Sequence, residues 1–111
     1  MSKTICIIDY EVGNILSVKR SVEILGFNAV VTNEEDKILN ADKVILPGVG
    51  AFKNGMDLLK KHNLINVISK IVKNNKPILG ICLGMQLFFE ESSEFGKSEG
   101  LGIIKGKVEK L

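Results

Sequence analysis

The chain has 111 residues, 45% of them apolar and 25% charged, which is the balance of one small folded domain and excludes a disordered polymer. Fifteen Lys+Arg against 13 Asp+Glu leave a formal charge of +2 with the lysines scattered, and with no Trp there is little for bases to stack on, so no nucleic acid is expected as a partner. No stretch approaches the roughly 18 unbroken apolar residues of a membrane span, no signal-peptide order opens the chain, and two cysteines read as cytosolic thiols, so no membrane and a cytoplasmic location are expected.

Thr4–Asp9 is a short apolar run with β-branched content, as in a strand buried on both faces. Asn14 reads as an N-cap for a helix with Ile15, Val18, Val22 and Leu25 at helical spacing, stopped by Gly26. Asn28–Thr32 and Lys43–Leu46 read as strands, the latter ended by Pro47-Gly48-Val49-Gly50. Phe52, Met56 and Leu59 suggest a short helix, and Leu64, Val67, Ile68, Ile71 and Val72 a second. Pro77–Ile81 reads as a fourth strand, Leu83–Glu91 as a helix packed against it, and Gly100–Leu111 as one or two short strands separated by Gly106. Alternating strands and helices predict an α/β fold, doubly wound, with a mainly parallel sheet and helices on both faces. Lys107–Leu111 looks like a strand in mid-course, which leads us to expect a C-terminal part beyond it.

In such sheets ligands collect beyond the carboxyl ends of the strands. Three glycine turns fall there: Gly13-Asn14, Gly48-Val49-Gly50, and Gly80-Ile81-Cys82-Leu83-Gly84. The last has a nucleophile between a strand and a helix start, with glycine two residues away on each side, the pattern of a nucleophile elbow with sulfur in place of oxygen. A helix start at Leu83 favours thiolate and aims the Leu83 N–H at a tetrahedral oxyanion. The alternative is a cysteine that merely fills a tight turn. Cys6, mid-strand, reads as a small core hydrophobe.

Gly48-Val49-Gly50 is no dinucleotide loop, since position 53 is Lys where a third glycine would stand. It is read as a flexible turn able to supply a second oxyanion donor, if the third strand lies near the fourth, or as an ordinary Pro-Gly turn. His62, the only histidine, is expected at the opposite end of a crossover as a solvated helix end, and one His with two distant Cys makes no metal site. Glu90, Glu91, Glu94 and Glu99 read as a solvated helix end and loop, and Lys60-Lys61 as an exposed face.

Asp9-Tyr10-Glu11-Val12-Gly13-Asn14 with Ser17-Val18-Lys19, then Leu46–Phe52 (LPGVGAF), then Gly80–Gln86 (GICLGMQ) resemble the glutaminase subunits of imidazole glycerol phosphate synthases, within the class I glutamine amidotransferases. Gly100-Leu101-Gly102 and Gly106-Lys107-Val108 continue the likeness, which spans the chain. The resemblance implies a flavodoxin-like amidotransferase fold in which Cys82 attacks the side-chain amide of glutamine, giving a γ-glutamyl thioester and ammonia. It implies oxyanion contacts from Val49, Gly50 and Leu83, with the Val49 segment reorienting on activation, and glutamine-holding roles for Gly48 and Gln86. Gly13 and Asn14 match a loop facing a cyclase subunit, which uses the ammonia to make imidazole glycerol phosphate in histidine biosynthesis; no cofactor is implied.

Family members complete a Cys–His–Glu triad with residues that follow the region of Leu111, so residues 1–111 are expected to be the N-terminal portion of a single amidotransferase domain and inactive alone. Two other readings stay open. One is a paralogous amidotransferase serving another acceptor, such as a surface sugar. The other is a non-catalytic flavodoxin-like binding module that lacks the triad base.

Overall fold

A computed structural model describes residues 3–111. The elements run β1 (Thr4–Ile8), α1 (Ile15–Ile24), β2 (Asn28–Thr32), α2 (Glu35–Asn40), β3 (Lys43–Leu46), α3 (Phe52–Lys61), α4 (Ile65–Lys73), β4 (Ile78–Gly80), α5 (Leu83–Gln86), β5 (Phe89–Ser92), β6 (Ser98–Glu99) and β7 (Ile104–Val108). The first four strands form one parallel sheet in the order β2-β1-β3-β4, with Leu46 of β3 opposite Gly80 of β4. The third strand is therefore the neighbour of the fourth, and both carboxyl ends open on the same rim.

The central strands β1 and β3 are buried on both faces. Cys6 and Ile8 of β1, Val44 and Leu46 of β3 meet Ile38 of α2, Met56 and Leu59 of α3, and Val67, Ile68 and Ile71 of α4. On the other face Ile5, Ile7 and Ile45 meet Val22 of α1. Each fully buried Leu, Ile or Phe here contributes about 1.5–3 kcal/mol relative to exposure, so this packing and not helix propensity holds the elements. Helix α1 begins as the sequence indicates: the Asn14 side chain accepts from Ser17 N at 3.4 Å. It ends at Gly26, whose φ of 92° suits glycine.

Several expectations need correction. The segment Leu83–Glu91 is a helix only to Gln86, because the carbonyls of Leu87 and Phe88 are taken by distant amides instead of helical ones. Leu101 N donates to Leu87 O at 2.9 Å and Ile103 N to Phe88 O at 2.8 Å. Glu90 and Glu91 consequently lie in β5 and Glu99 in β6, not in a solvated helix end, and Glu94 makes an isolated bridge with Gly96.

The tail is one strand that passes through Gly106 rather than two strands parted by it. The register with β5 shifts between Phe89 and Glu91, so two residues of β7 face one of β5, and Gly106 absorbs this bulge at φ 126°. The strand expected to be cut in mid-course over Lys107–Leu111 ends at Val108. Strands β5, β6 and β7 form a separate mixed sheet in the order β6-β5-β7. Helix α2 was not anticipated. It has too few apolar residues to show a period, yet β2 and β3, parallel and on either side of β1, need a crossover between them, and Ile38 anchors it in the core.

Candidate active site

At Cys82, between β4 and α5, the backbone adopts φ 52°, ψ −119°. A non-glycine residue in such a conformation carries on the order of 1–3 kcal/mol of strain and persists only where neighbours hold it. They do so here through main-chain bonds on both sides: Ile81 N donates to Leu46 O (3.0 Å), Gly84 N to Ile81 O (2.9 Å) and Gln86 N to Cys82 O (3.1 Å). The cysteine itself is exposed at the rim.

The flanking glycines are required by close approach. A Cβ on Gly80 would lie 2.7 Å from Met85 Cα, and one on Gly84 would run into the Leu46 carbonyl group, 2.7 Å from its carbon. Such contacts leave no room for a side chain, so the turn stays tight enough to expel the cysteine. The helix that follows is a single turn of four residues, shorter than the sequence suggested, so its dipole at the sulfur is correspondingly small.

The three glycine turns do meet. Gly13 backs onto the Pro47–Gly48 segment, where an added Cβ would lie 3.2 Å from Gly48 N, and an added Cβ on Gly48 would lie 3.1 Å from Gly84 N. Leu83 N donates to Gly48 O at 3.1 Å. The Leu83 N–H is therefore not free: the Gly48 carbonyl occupies it. Because a trans peptide points its C=O and N–H in opposite directions, the Val49 N–H faces away from Leu83 in this arrangement. Val49 and Gly50 are exposed, and Gly50 sits at φ 111°, so this segment is not locked by packing. Gln86 is half-buried on α5, one turn beyond Cys82. Asn14, exposed, serves as the α1 cap described above.

Tyr10 also lies at the rim, against the Pro47–Gly48 segment, although no local motif marks it. Its hydroxyl donates to Pro47 O at 2.5 Å, and burial pushes its phenol well above the ordinary range. A signal was available, since Cys6, Ile8 and Tyr10 alternate and so share one face of β1 and its extension. Cys6 is fully buried and its thiol is pushed up to about 11 by burial, as suits an inert core residue.

His62 does not lie at the far end of a crossover. Helix α3 packs on one face of the sheet, and its C-terminus comes to the turn after β1. His62 Nε2 lies 2.6 Å from Glu11 Oε2 and its Nδ1 3.5 Å from Asn33 Nδ2. Lys60 and Lys61 are exposed, as expected, and Lys61 also reaches Glu11 at 3.0 Å. A cavity of about 510 Å³ opens beside His62, lined also by Asn33, Glu35, Asn66 and Lys70, but Cys82 takes no part in it. Among the described residues no group of three or more His, Cys, Asp or Glu could hold a metal ion, and no helix is long and apolar enough to cross a membrane.

A parallel α/β sheet that presents a strained, exposed cysteine at a strand-to-helix turn has the geometry of a nucleophile elbow. The sequence model of the family "Glutamine amidotransferase class-I" matches residues 6–110. The chain belongs to the class I glutamine amidotransferase family. It is 50% identical over 104 residues to the imidazole glycerol phosphate synthase subunit HisH of Sulfurimonas denitrificans, covering 94% of this chain and 50% of that protein. To the HisH subunit of Bacillus cereus it is 48% identical over 107 residues, covering 96% of this chain and 51% of the relative.

The chain thus spans about half the length of the curated relatives it matches. Among solved structures it resembles a glutamine amidotransferase with a TM-score of 0.77 at 19% identity, over 94% of this chain and 55% of that one, a likeness of fold. It also resembles PurLQS from Thermotoga maritima, with a TM-score of 0.64 at 25% identity over 79% of this chain and 43% of that one.

Proposed function

We propose that these residues are the nucleophile-bearing part of a glutaminase that supplies ammonia to a cyclase subunit making imidazole glycerol phosphate, in a cytoplasmic setting. The observation that carries the reading is the exposed Cys82 at φ 52°, ψ −119° on the strand rim, supported by about 50% identity to HisH subunits. Its thiolate sulfur would bond to the carboxamide carbon of glutamine. Collapse of the tetrahedral adduct breaks the C–N bond, the nitrogen leaves as ammonia after gaining a proton, and water hydrolyses the thioester to glutamate.

The oxyanion of that adduct needs donors, and Leu83 N–H is engaged by Gly48 O in the present arrangement. Turning the Gly48–Val49 peptide over, by rotation about ψ of Gly48 and φ of Val49, would release Leu83 N–H and bring Val49 N–H beside it. Removal of one such donor commonly costs about 10²–10³ in rate, which sets the advantage of turning. Gly48 and Gln86 are assigned to holding the glutamine, and Gly13 with Asn14 to the rim surface that a cyclase would meet.

Residues 1–111 are read as the N-terminal portion of one amidotransferase domain. Their one histidine is held by Glu11 and Asn33, not by Cys82. A polypeptide of these residues alone should therefore turn over glutamine about 10³–10⁶-fold more slowly than a complete glutaminase, the usual penalty for lacking a triad base.

The reading is tested by coexpression with a cyclase barrel. Copurification, and ammonia release from glutamine that a Cys82→Ala variant abolishes once a polypeptide carrying the downstream His and Glu is present, are expected. Release that survives Cys82→Ala would overturn the assignment of the nucleophile. Rapid release by the 111 residues alone would overturn the need for a downstream base.

A further inference from the structure

A second strained residue stands on the same rim, and the glutaminase chemistry leaves it unused. Glu11, in the turn between β1 and α1, has φ 74°, a conformation that favours glycine. Its side chain is gripped from the C-terminal end of α3. Oε2 accepts from Lys61 Nζ at 3.0 Å and lies 2.6 Å from His62 Nε2, while His62 Nδ1 lies 3.5 Å from Asn33 Nδ2 beyond β2. With its hydrogen on Nε2, the imidazole donates to Glu11 and accepts from Asn33. One carboxylate thus ties together three segments of the rim, and the His62 side chain is only 22% exposed.

The residues flanking Glu11 press on one place. Tyr10 Oη donates to Pro47 O at 2.5 Å, and an added Cβ on Gly13 would lie 3.2 Å from Gly48 N and 3.4 Å from Pro47 Cβ. Gly48 is the residue whose carbonyl covers the Leu83 N–H. The turn that Glu11 fixes is therefore the backing of the peptide that would have to rotate.

We propose that Glu11, gripped by Lys61 and His62, is a positioning residue that braces the β1–α1 turn against Gly48 and so keeps the Gly48–Val49 peptide closed over the Leu83 N–H. It acts through the turn and not on the substrate. The consequence for catalysis, a restrained oxyanion site, rests on the glutaminase reading; the brace itself does not.

Amide hydrogen exchange in the full chain tests the brace directly. Glu11→Gly relieves the backbone strain and should fold. It should speed exchange at Leu83 about two- to fivefold, the scale of a partly exposed ion pair, with core amides such as Ile7 and Ile68 unchanged. Glu11→Gln keeps an acceptor and should fall between the two, and His62→Ala should move in the direction of Glu11→Gly. Unchanged or slower Leu83 exchange in Glu11→Gly, or a uniform acceleration that includes Ile7 and Ile68, would overturn the proposal.

A parallel readout is the rate at which Cys82 is labelled by a glutamine-mimicking diazoketone against iodoacetamide. A rise confined to the diazoketone supports a restrained oxyanion site, and equal shifts for both reagents count against it. If, with a polypeptide carrying the downstream His and Glu present, the diazoketone labels no form while iodoacetamide labels all, the glutaminase reading fails, and the exchange rates still decide the brace.

Discussion

At the scale of single residues, the two cysteines show how position converts one side chain into two reagents. Cys6 is wholly enclosed between β1 and the helices of one face, and burial lifts its thiol to about 11. Cys82 stands in the open on a backbone that no packing need would choose. Thiolate character and access govern alkylation, so folded protein treated with iodoacetamide should be modified at Cys82 at least about tenfold faster than at Cys6. Peptide mapping after partial modification checks this, and equal labelling in folded protein would refute the exposed turn. The positions of both were legible in the sequence. Cys6 sat in an unbroken apolar run, and Cys82 between glycines whose missing Cβ atoms turn out to face Met85 and Leu46. The occupied state of the Leu83 N–H was not legible, because it depends on a carbonyl 35 positions earlier.

At the scale of elements, the β1–α1 turn is built from a cap at Asn14, a buried tyrosine and an ion pair to α3. The Glu11 carboxyl is held below the ordinary carboxylate range, first by the hydrogen bond from Lys61 and then by that from His62. A carboxyl depressed in the folded state stabilises fully above its unfolded pKa, and the contribution disappears as pH falls through the folded value. Acidification below the ordinary carboxylate range should therefore weaken the native state partly through this group, and Glu11→Gln should show a shallower loss. Urea unfolding at pH 7 and near pH 3 checks the difference, and identical acid dependence in the two proteins would remove Glu11 from the account. The exposure of the pair keeps the effect small. Elements with strong periods, such as α4 with its Val67, Ile68 and Ile71 stripe, were readable in advance. Helix α2 and the early end of α5 were not. The first rests on Ile38 finding a core, and the second on amides near Leu101 competing for the carbonyls that a longer helix would use.

At the scale of the whole molecule, the two faces of the parallel sheet are unequally covered. Helices α2, α3 and α4 pack on one face, and α1 alone on the other. Beside α1, Leu25 at 74% and Leu79 at 57% exposure flank an apolar groove of about 310 Å³ that Ile45 and Ile81 also line. Strand β4 is at the end of the sheet order, with an unpaired edge. An apolar face next to an open edge is a site of association. Dilute solutions of the 111-residue polypeptide should contain species larger than the monomer, and Leu79→Glu should shift them toward the monomer without loss of helical signal. Light scattering after size exclusion checks this; a single monomeric species in the parent chain would show that the face is tolerated in water.

By itself the sequence determined the elements whose signals are local and periodic. These are a strand of unbroken β-branched residues, a helix with an apolar stripe, and a cysteine between two glycines at the end of a strand. Such signals survive in one dimension because side-chain direction repeats every two or 3.6 residues. Only the tertiary structure decided which N–H is free, where His62 lies, and how far α5 extends. Each of these is settled by a hydrogen bond between residues distant along the chain, and the partner in such a bond is chosen by packing in three dimensions.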